Sequence, residues 1–393
     1  LEFLQMKKSL IALAVLGASS VAFAASNVTL YGVIETGVLA QKVKHSDTTV
    51  SMKSGFVSGP RWGIKGTEEL GNGYSVGFIL EQGFKSDDGS EAVDGKQFSR
   101  EAILYVDGGF GRFAAGRTGT LGSGMQTFNQ LTGWAFTTSW GLSSWTSYKT
   151  AFDRVNNALV YQTPSFSGLT LTAMYSNGIE ADETKWSKNN HYYGIAAKYQ
   201  ANAITSSLVF EALDNKGTGT AEKKAGDFLT LNEYGLENEW ADPANPTAAE
   251  KAEYEAWAKT VMKKADPDKK RAFIINYGLE YNLGAVTPMF AYQWYNQDGG
   301  KKTNMFGLSA KVAVAGGDAL FGGRYIFGHD ESITKGDDKV RGWNIGAAYR
   351  YPLSNRTQLK AYAGYADASK GWKNTEDVAM NGYQVYLGMS HTF

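Results

Sequence analysis

The sequence predicts an all-β fold, a closed antiparallel barrel of sixteen transmembrane strands. Three observations predict it. The chain ends on the strand-like run NGYQVYLGMSHTF, which places Tyr383, Val385, Leu387, Met389, His391 and Phe393 on one face at period two. Gln384, Gly388, Ser390 and Thr392 fall on the other face, with Tyr386 the one aromatic among them. A barrel-closing strand needs such a pattern, because one face meets lipid and the other meets water. At the other end, Lys7 and Lys8 follow Met6, then come an apolar run over 10–16 and small residues ending in Ala22-Phe23-Ala24. This is the anatomy of a secretory signal, and its apolar run is too short to span a bilayer. Third, 46 glycines, 22 tyrosines, 20 phenylalanines and 10 tryptophans stand against 7 prolines, a balance that suits many strands and tight turns.

From the signal we expect cleavage after Ala24, so that residues 1–24 are a removable N-terminal extension and 25–393 form the barrel. Residues 1–5 precede the first methionine and are set aside. The chain has no cysteine, which rules out a disulfide framework and a thiolate metal site. Lys plus Arg (39) equal Asp plus Glu (39), unlike the basic surplus of a nucleic-acid binder. Mean hydropathy is −0.32, and no later apolar stretch reaches helix-spanning length, so membrane insertion has to be by strands.

The strands follow in order. Period-two alternation marks 27–40, 56–67, 73–84, 97–107, 111–118, 154–163, 168–177, 190–200, 203–213, 271–283, 285–297, 303–315, 318–328, 341–351, 357–368 and 381–393. An even number is what a closed bacterial barrel requires. Connectors alternate between short and long. The short ones are 68–72, 108–110, 164–167, 201–202, 284, 316–317 and 352–356. The long ones are 41–55, 85–96, 119–153, 178–189, 214–270, 329–340 and 369–380, with 298–302 a short member of that set. Short turns at one end and long loops at the other are the barrel pattern. Within strands, Phe273, Ile275, Tyr277, Leu279 and Tyr281 share a lipid-type face, opposite Asn276, Gly278, Glu280 and Asn282. One stretch departs from this pattern. Thr247 with Glu250 makes a capping box, and the alanine-rich run to Lys264 reads as a short helix in the connector 214–270.

With these elements placed, five strings stand out: VTLYGVIETGV from Val28, RWGIKGTEELGNGY from Arg61, FSREAILYVDGGFGRFAAGR from Phe98, RVNNALVYQTPSFSGL from Arg154 and the closing GMSHTF. In order, spacing and coverage they resemble the trimeric general porins of Gram-negative bacteria, of the neisserial and burkholderial type. The resemblance implies a sixteen-stranded outer-membrane barrel with short periplasmic turns and long extracellular loops. It also implies a homotrimer in contact with the bilayer and lipopolysaccharide, and a third loop, here 119–153, folded into the lumen. That loop faces a ladder of arginines on the wall, matched by Arg61, Arg100 and Arg154, with Arg117 just before the loop. Parity puts Arg61 and Lys65 inside, against Trp62 and Ile64, and Arg154 inside with Asn156. Arg100 and Glu101 have opposite parity, so one of the two is expected to face outward.

The expected function is passive transport of small hydrophilic solutes and ions. The lumenal set by parity is Glu35, Glu81, Glu211 and Glu280 against Arg61, Lys65, Arg100, Arg154, Lys198, Lys311, Arg324, Arg350 and Lys360. A constriction loop often sets carboxylates opposite the arginines, yet between Asp107 and Asp153 there is no Asp or Glu. The loop instead carries Phe128, Trp134, Phe136, Trp140, Trp145 and Tyr148. A positive field and anion preference follow. The aromatic loop also allows a preference for sugars or flat solutes, although rings packed on the wall explain it as well. A rival reading is an adhesin or receptor barrel that binds through 214–270. An enzyme is not expected: His45, His191, His329 and His391 have no metal-ligand spacing, and no serine lies in a nucleophile elbow. No cofactor or nucleic acid is implied.

Overall fold

The computed structural model describes residues 27–43, 46–136, 153–179, 189–214, 231, 236, 238–239, 241–264, 271–332, 338–368 and 381–393. The proposed cleavage site at Ala24 and the aromatics Trp140, Trp145 and Tyr148 lie outside the described residues. The strands are β1 (Asn27–Val43), β2 (Thr49–Ser54), β3 (Arg61–Gly71), β4 (Tyr74–Gly83), β5 (Glu101–Gly108), β6 (Gly111–Gly119), β7 (Arg154–Gln162), β8 (Leu169–Asn177) and β9 (His191–Ala201). They continue with β10 (Ile204–Asp214), β11 (Ala272–Tyr281), β12 (Val286–Gln297), β13 (Lys301–Val314), β14 (Gly317–Asp330), β15 (Lys339–Pro352), β16 (Thr357–Ala368) and β17 (Gly382–Thr392). The helix α1 (Ala248–Lys264) lies between β10 and β11.

Each strand from β3 onward pairs antiparallel with the next, and β17 returns to β1 in a register running from Val33↔Thr392 to Val43↔Gly382. Closure pairs the first described strand with the last, so neither is left as an open edge in the bilayer, where nothing can satisfy free N–H and C=O groups. The lower part of β1 pairs with β3 (Asn27↔Thr67 to Val33↔Arg61), and its upper part pairs with β2 (Thr36↔Ser54 to Gln41↔Thr49). β2 and β3 are therefore one stave broken at residues 55–60, and the barrel has sixteen staves. The sequence reading placed 49–54 in a loop and 56–60 in a strand, and both assignments are corrected. Gly55, at φ 61°, and Pro60 bracket the break: one takes a backbone conformation a strand cannot use, and the other lacks a ladder donor.

The two faces alternate as expected. Leu30, Leu104, Leu159, Ile195, Leu308, Ile345 and Leu387 are among the exposed outward residues. Aromatic groups band the outer face, including Phe110, Phe113 and Tyr161 at one end, and Tyr292, Phe306 and Phe327 toward the other. An apolar belt between aromatic girdles matches a bilayer. No helix among the described residues is long and apolar enough to cross one.

The inner face departs from a uniformly polar wall. Ile103, Val160, Met174, Tyr192 and Val209 form a buried cluster with Leu121 and Phe128 of the connector after β6. Apolar groups face inward where the chain itself covers them. The seam is completed by Phe393, whose backbone exchanges hydrogen bonds with Gly32 (3.0 and 3.1 Å) and whose ring lies where a Gly32 Cβ would be, 2.3 Å away. Short turns use left-handed residues, as at Asn72 (φ 53°) and Gly73 (φ 79°), whose twist suits a two-residue hairpin. The capping box forms as expected: Thr247 N and Oγ1 donate to Glu250 Oε2 (2.7 and 2.6 Å), and Glu250 N donates to Thr247 Oγ1 (3.3 Å).

Candidate functional site: the lumen and its inward loop

The described part of the connector after β6, residues 120–136, runs along the inner wall, and wall carboxylates hold it there. On β10, Glu211 accepts from Gly122 N (3.1 Å) and from the Tyr192 hydroxyl (2.7 Å), which itself receives Leu121 N (3.2 Å). On β11, Glu280 accepts from Gly133 N (2.9 Å) and from the Thr132 hydroxyl. On β5, Glu101 accepts from Thr118 Oγ1 (2.7 Å) and Thr127 Oγ1 (2.9 Å). Farther round, Ser309 Oγ receives Ala135 N at 3.0 Å. The Arg324 guanidinium lies 3.8 Å from the Trp134 ring centroid, a cation–π contact. The connector lacks carboxylates, so the wall supplies the anionic groups its backbone donors need.

The expected constriction arginines are brought together on the wall formed by β3 to β7. Arg100 Nε donates to Glu81 Oε1 at 2.7 Å, and Arg61 Nε lies 3.4 Å from Glu81 Oε2. Tyr31 donates to the same carboxylate at 3.1 Å. Arg117 donates from Nε to the Ser99 carbonyl (2.9 Å) and from Nη1 to Asn156 Oδ1 (2.6 Å). Arg154 Nη2 reaches Met125 Sδ in the inward loop at 3.3 Å. Lys65 Nζ lies 5.3 Å from the Tyr31 ring centroid.

The expectation that Arg100 or Glu101 faces outward is overturned. β5 begins only at Glu101, so strand alternation does not govern Arg100, and both residues bond to lumenal partners. Arg117 gains its direction from a register shift between Gly116 and Thr118, a bulge that simple parity does not foresee. Of the remaining basic positions, Arg350 sits 3.5 Å from Asp318, and Lys360 is buried against Glu35. Phe128 and Phe136 are buried in the clusters between loop and wall, and Trp134 packs beside Phe136 with centroids 5.4 Å apart. In the closing strand, Tyr383, Val385, Leu387, Met389 and Phe393 are exposed on the outer face, and Tyr386 is buried inside. His191 Nδ1 lies 3.0 Å from the Tyr175 hydroxyl.

Sequence reading placed Glu211, Glu280, Glu35 and Lys360 in the lumen but not their roles. Period two identifies the face of a side chain, whereas the loop atoms it meets come from remote parts of the chain.

Comparison with known proteins agrees with this architecture. A family model described as Gram-negative porin matches residues 9–371. An outer membrane porin protein of Bordetella pertussis is 29% identical over 417 residues, covering 99% of this chain and 100% of that protein. The major outer membrane protein P.IB of Neisseria lactamica is 25% identical over 407 residues, covering 99% and 100%. Among solved structures, an anion-selective porin from Comamonas acidovorans superposes with a TM-score of 0.65 at 22% identity, over 94% of this chain and 100% of that one. The chain belongs to the Gram-negative porin family and is a diffusion porin of the bacterial outer membrane.

Proposed function

We propose that this pore prefers small anions, and that Arg61, Lys65, Arg100, Arg117 and Arg154 set the preference. One observation carries the reading: the lumenal charges are unequally engaged. Glu101, Glu211 and Glu280 are turned into the loop, Glu35 is buried against Lys360, and Glu81 is shared by two arginines. The positive groups of β3 to β7 therefore dominate the field that a passing ion meets. Guanidinium groups hold their charge at any working pH, and rings of fixed charge set ion preference in wide pores. The structural neighbour named as anion-selective agrees with this reading.

The finer assignments belong to the same proposal. Residues 1–24 are removed after Ala24, 25–393 form the pore unit, and 119–153 act as the constriction loop. The protein assembles as a homotrimer in contact with lipopolysaccharide, as its family resemblance implies. The packing of Trp134 under Arg324 and beside Phe136 favours a bracing role for the loop aromatics over a sugar-stacking one. The charged composition of the connector 214–270 suits a solvated cover at the pore mouth. A receptor role for it becomes the leading reading if the folded barrel does not conduct.

The test is single-channel recording in a planar bilayer across a potassium chloride gradient. The wild type should reverse toward chloride, and Arg61→Gln with Arg154→Gln should move the reversal potential toward potassium. A unit charge about 4 Å from an ion in water contributes about 1 kcal/mol, attractive for the anion and repulsive for the cation, so each loss should lower the anion-to-cation ratio by up to about thirtyfold. Cation preference in the wild type would overturn the proposal.

A further inference from the structure

The break in the second stave is held from inside the pore. Glu35 of β1 is fully buried, and its carboxylate collects three consecutive backbone donors of the break: Phe56 N (2.9 Å), Val57 N (2.7 Å) and Ser58 N (3.1 Å). Lys360 Nζ of β16 donates to it as well, and the Tyr386 hydroxyl approaches at 3.4 Å. A carboxylate has about four lone-pair sites, so these five donors, the Tyr386 hydroxyl the most distant, saturate it. The backbone carbonyl of Glu35 is also engaged, by Gly55 N and by Ser86 Oγ, both at 2.9 Å. Phe56 stacks on Tyr386 (4.6 Å between centroids, 14°) and meets the edge of Tyr362 (5.4 Å, 60°). Both tyrosines belong to the inner wall.

This inward segment touches the constriction from two sides. Phe56 and Val57 pack into the apolar cluster that also holds Ala135 and Phe136 of the inward loop. The Gly59 carbonyl receives Arg61 Nη1 at 3.0 Å, and a side chain at Gly59 would crowd Arg100 Nη1 at 3.2 Å. One carboxylate thus ties together the break, the far end of the inward loop and two of the arginines.

We infer that Glu35 and Lys360 are positioning residues for the constriction: they latch residues 55–60 inside the lumen, where this segment narrows the pore and fixes Arg61 and Arg100. The inference rests on the diffusion-pore reading. Latching explains why a barrel stave is interrupted at mid-length: residues 55–60 stand opposite only Ile34 and Glu35 of β1, and the excess chain folds inward, where the carboxylate nucleates it. Charge-assisted bonds to ionised acceptors are the strong class of hydrogen bond, which suits a single side chain to the task.

The test uses the full-length protein with Glu35→Gln, read by conductance, reversal potential and chemical labelling. The chain has no cysteine, so Ser58→Cys provides a single reporter of segment release. Glu35→Gln should raise single-channel conductance and speed labelling of Ser58→Cys by roughly tenfold, the equivalent of one charged hydrogen bond; with Lys360→Met added, so that no lumenal charge is left unpaired, the reversal potential should also shift away from chloride. A folded Glu35→Gln barrel with unchanged conductance and labelling rate overturns the inference. If Glu35→Gln does not assemble, the double variant Glu35→Gln/Lys360→Met removes both buried charges and carries the same expected and overturning outcomes. A wild type that never conducts would sink the pore reading alone, and the labelling rate would still decide the latch.

Discussion

Replacing Gly278 by alanine should unseat the inward loop while leaving the barrel wall intact. Gly278 lies on the inner face of β11, paired with Ser207 of β10 and Ala291 of β12. A Cβ at this position would lie 2.1 Å from the Thr132 carbonyl oxygen and 2.6 Å from its carbon, where ordinary contact begins near 3.4 Å. The Thr132 backbone must retreat by more than an ångström, which stretches the 2.9 Å bond from Gly133 N to Glu280 beyond hydrogen-bonding range. Overpacking of this kind costs about 1–3 kcal/mol. A lost hydrogen bond to a charged acceptor adds about 1.5–3 kcal/mol. Together these are on the order of 4 kcal/mol, about a thousandfold in the ratio of seated to released loop. Single-channel recording reads the outcome as larger and noisier openings, and heat-modifiable migration on a gel confirms the folded barrel. Tyr277→Phe, one residue away on the lipid face, should leave the channel unchanged. A folded Gly278→Ala barrel with wild-type conductance and noise would refute the seating of the loop on β11.

Other outcomes follow from the same contacts. Arg61→Gln and Arg154→Gln should lower anion preference in the potassium chloride gradient without loss of folding, because neither is needed to close the sheet. Deleting Phe393 removes two backbone bonds at the seam, each contributing about 1 kcal/mol in water and more beside lipid, and should lower the temperature at which the barrel loses its compact gel migration. Thr247→Ala should fray the first turn of α1, seen as faster amide exchange over 248–251, with conductance unchanged. The hydroxyl and amide of Thr247 hold the Glu250 carboxyl below its usual range. The cap therefore stabilises the helix above the ordinary glutamate pKa and is lost as pH falls through the depressed one, so amide exchange in the first turn should rise with acidification.

Much of the fold was legible because period two is a local property. Residues 271–283 and 381–393 show their lipid face directly, since each outward residue answers to the same solvent irrespective of its neighbours. The alternation of short and long connectors reported closure, and the capping box reported α1, again through residues three apart. Failures came where the chain leaves the ladder. The residues from 56 to 60 read as strand because Phe56 and Val57 are strand formers just ahead of the alternation from Arg61, but Gly55 and Pro60 allow a fold that Glu35, well upstream on β1, then stabilises. Arg100 and Glu101 were set against each other by a parity that starts only at Glu101.

The sequence by itself determined the barrel, its even number of staves, the faces turned to lipid and the basic residues turned inward, because strand geometry and the solvent on each side act residue by residue. The tertiary structure decided what the lumenal charges do. Glu101, Glu211 and Glu280 hold a carboxylate-free loop, Glu35 with Lys360 holds the broken stave, and Arg61 and Arg100 share Glu81 while Arg117 and Arg154 reach Asn156 and Met125. Those pairings join residues up to 325 positions apart. The Glu35–Lys360 pair exists only once closure brings β1 beside β17, and the loop's bonds only once it folds into the lumen, because a hydrogen bond depends on distances of about 3 Å that no local pattern encodes.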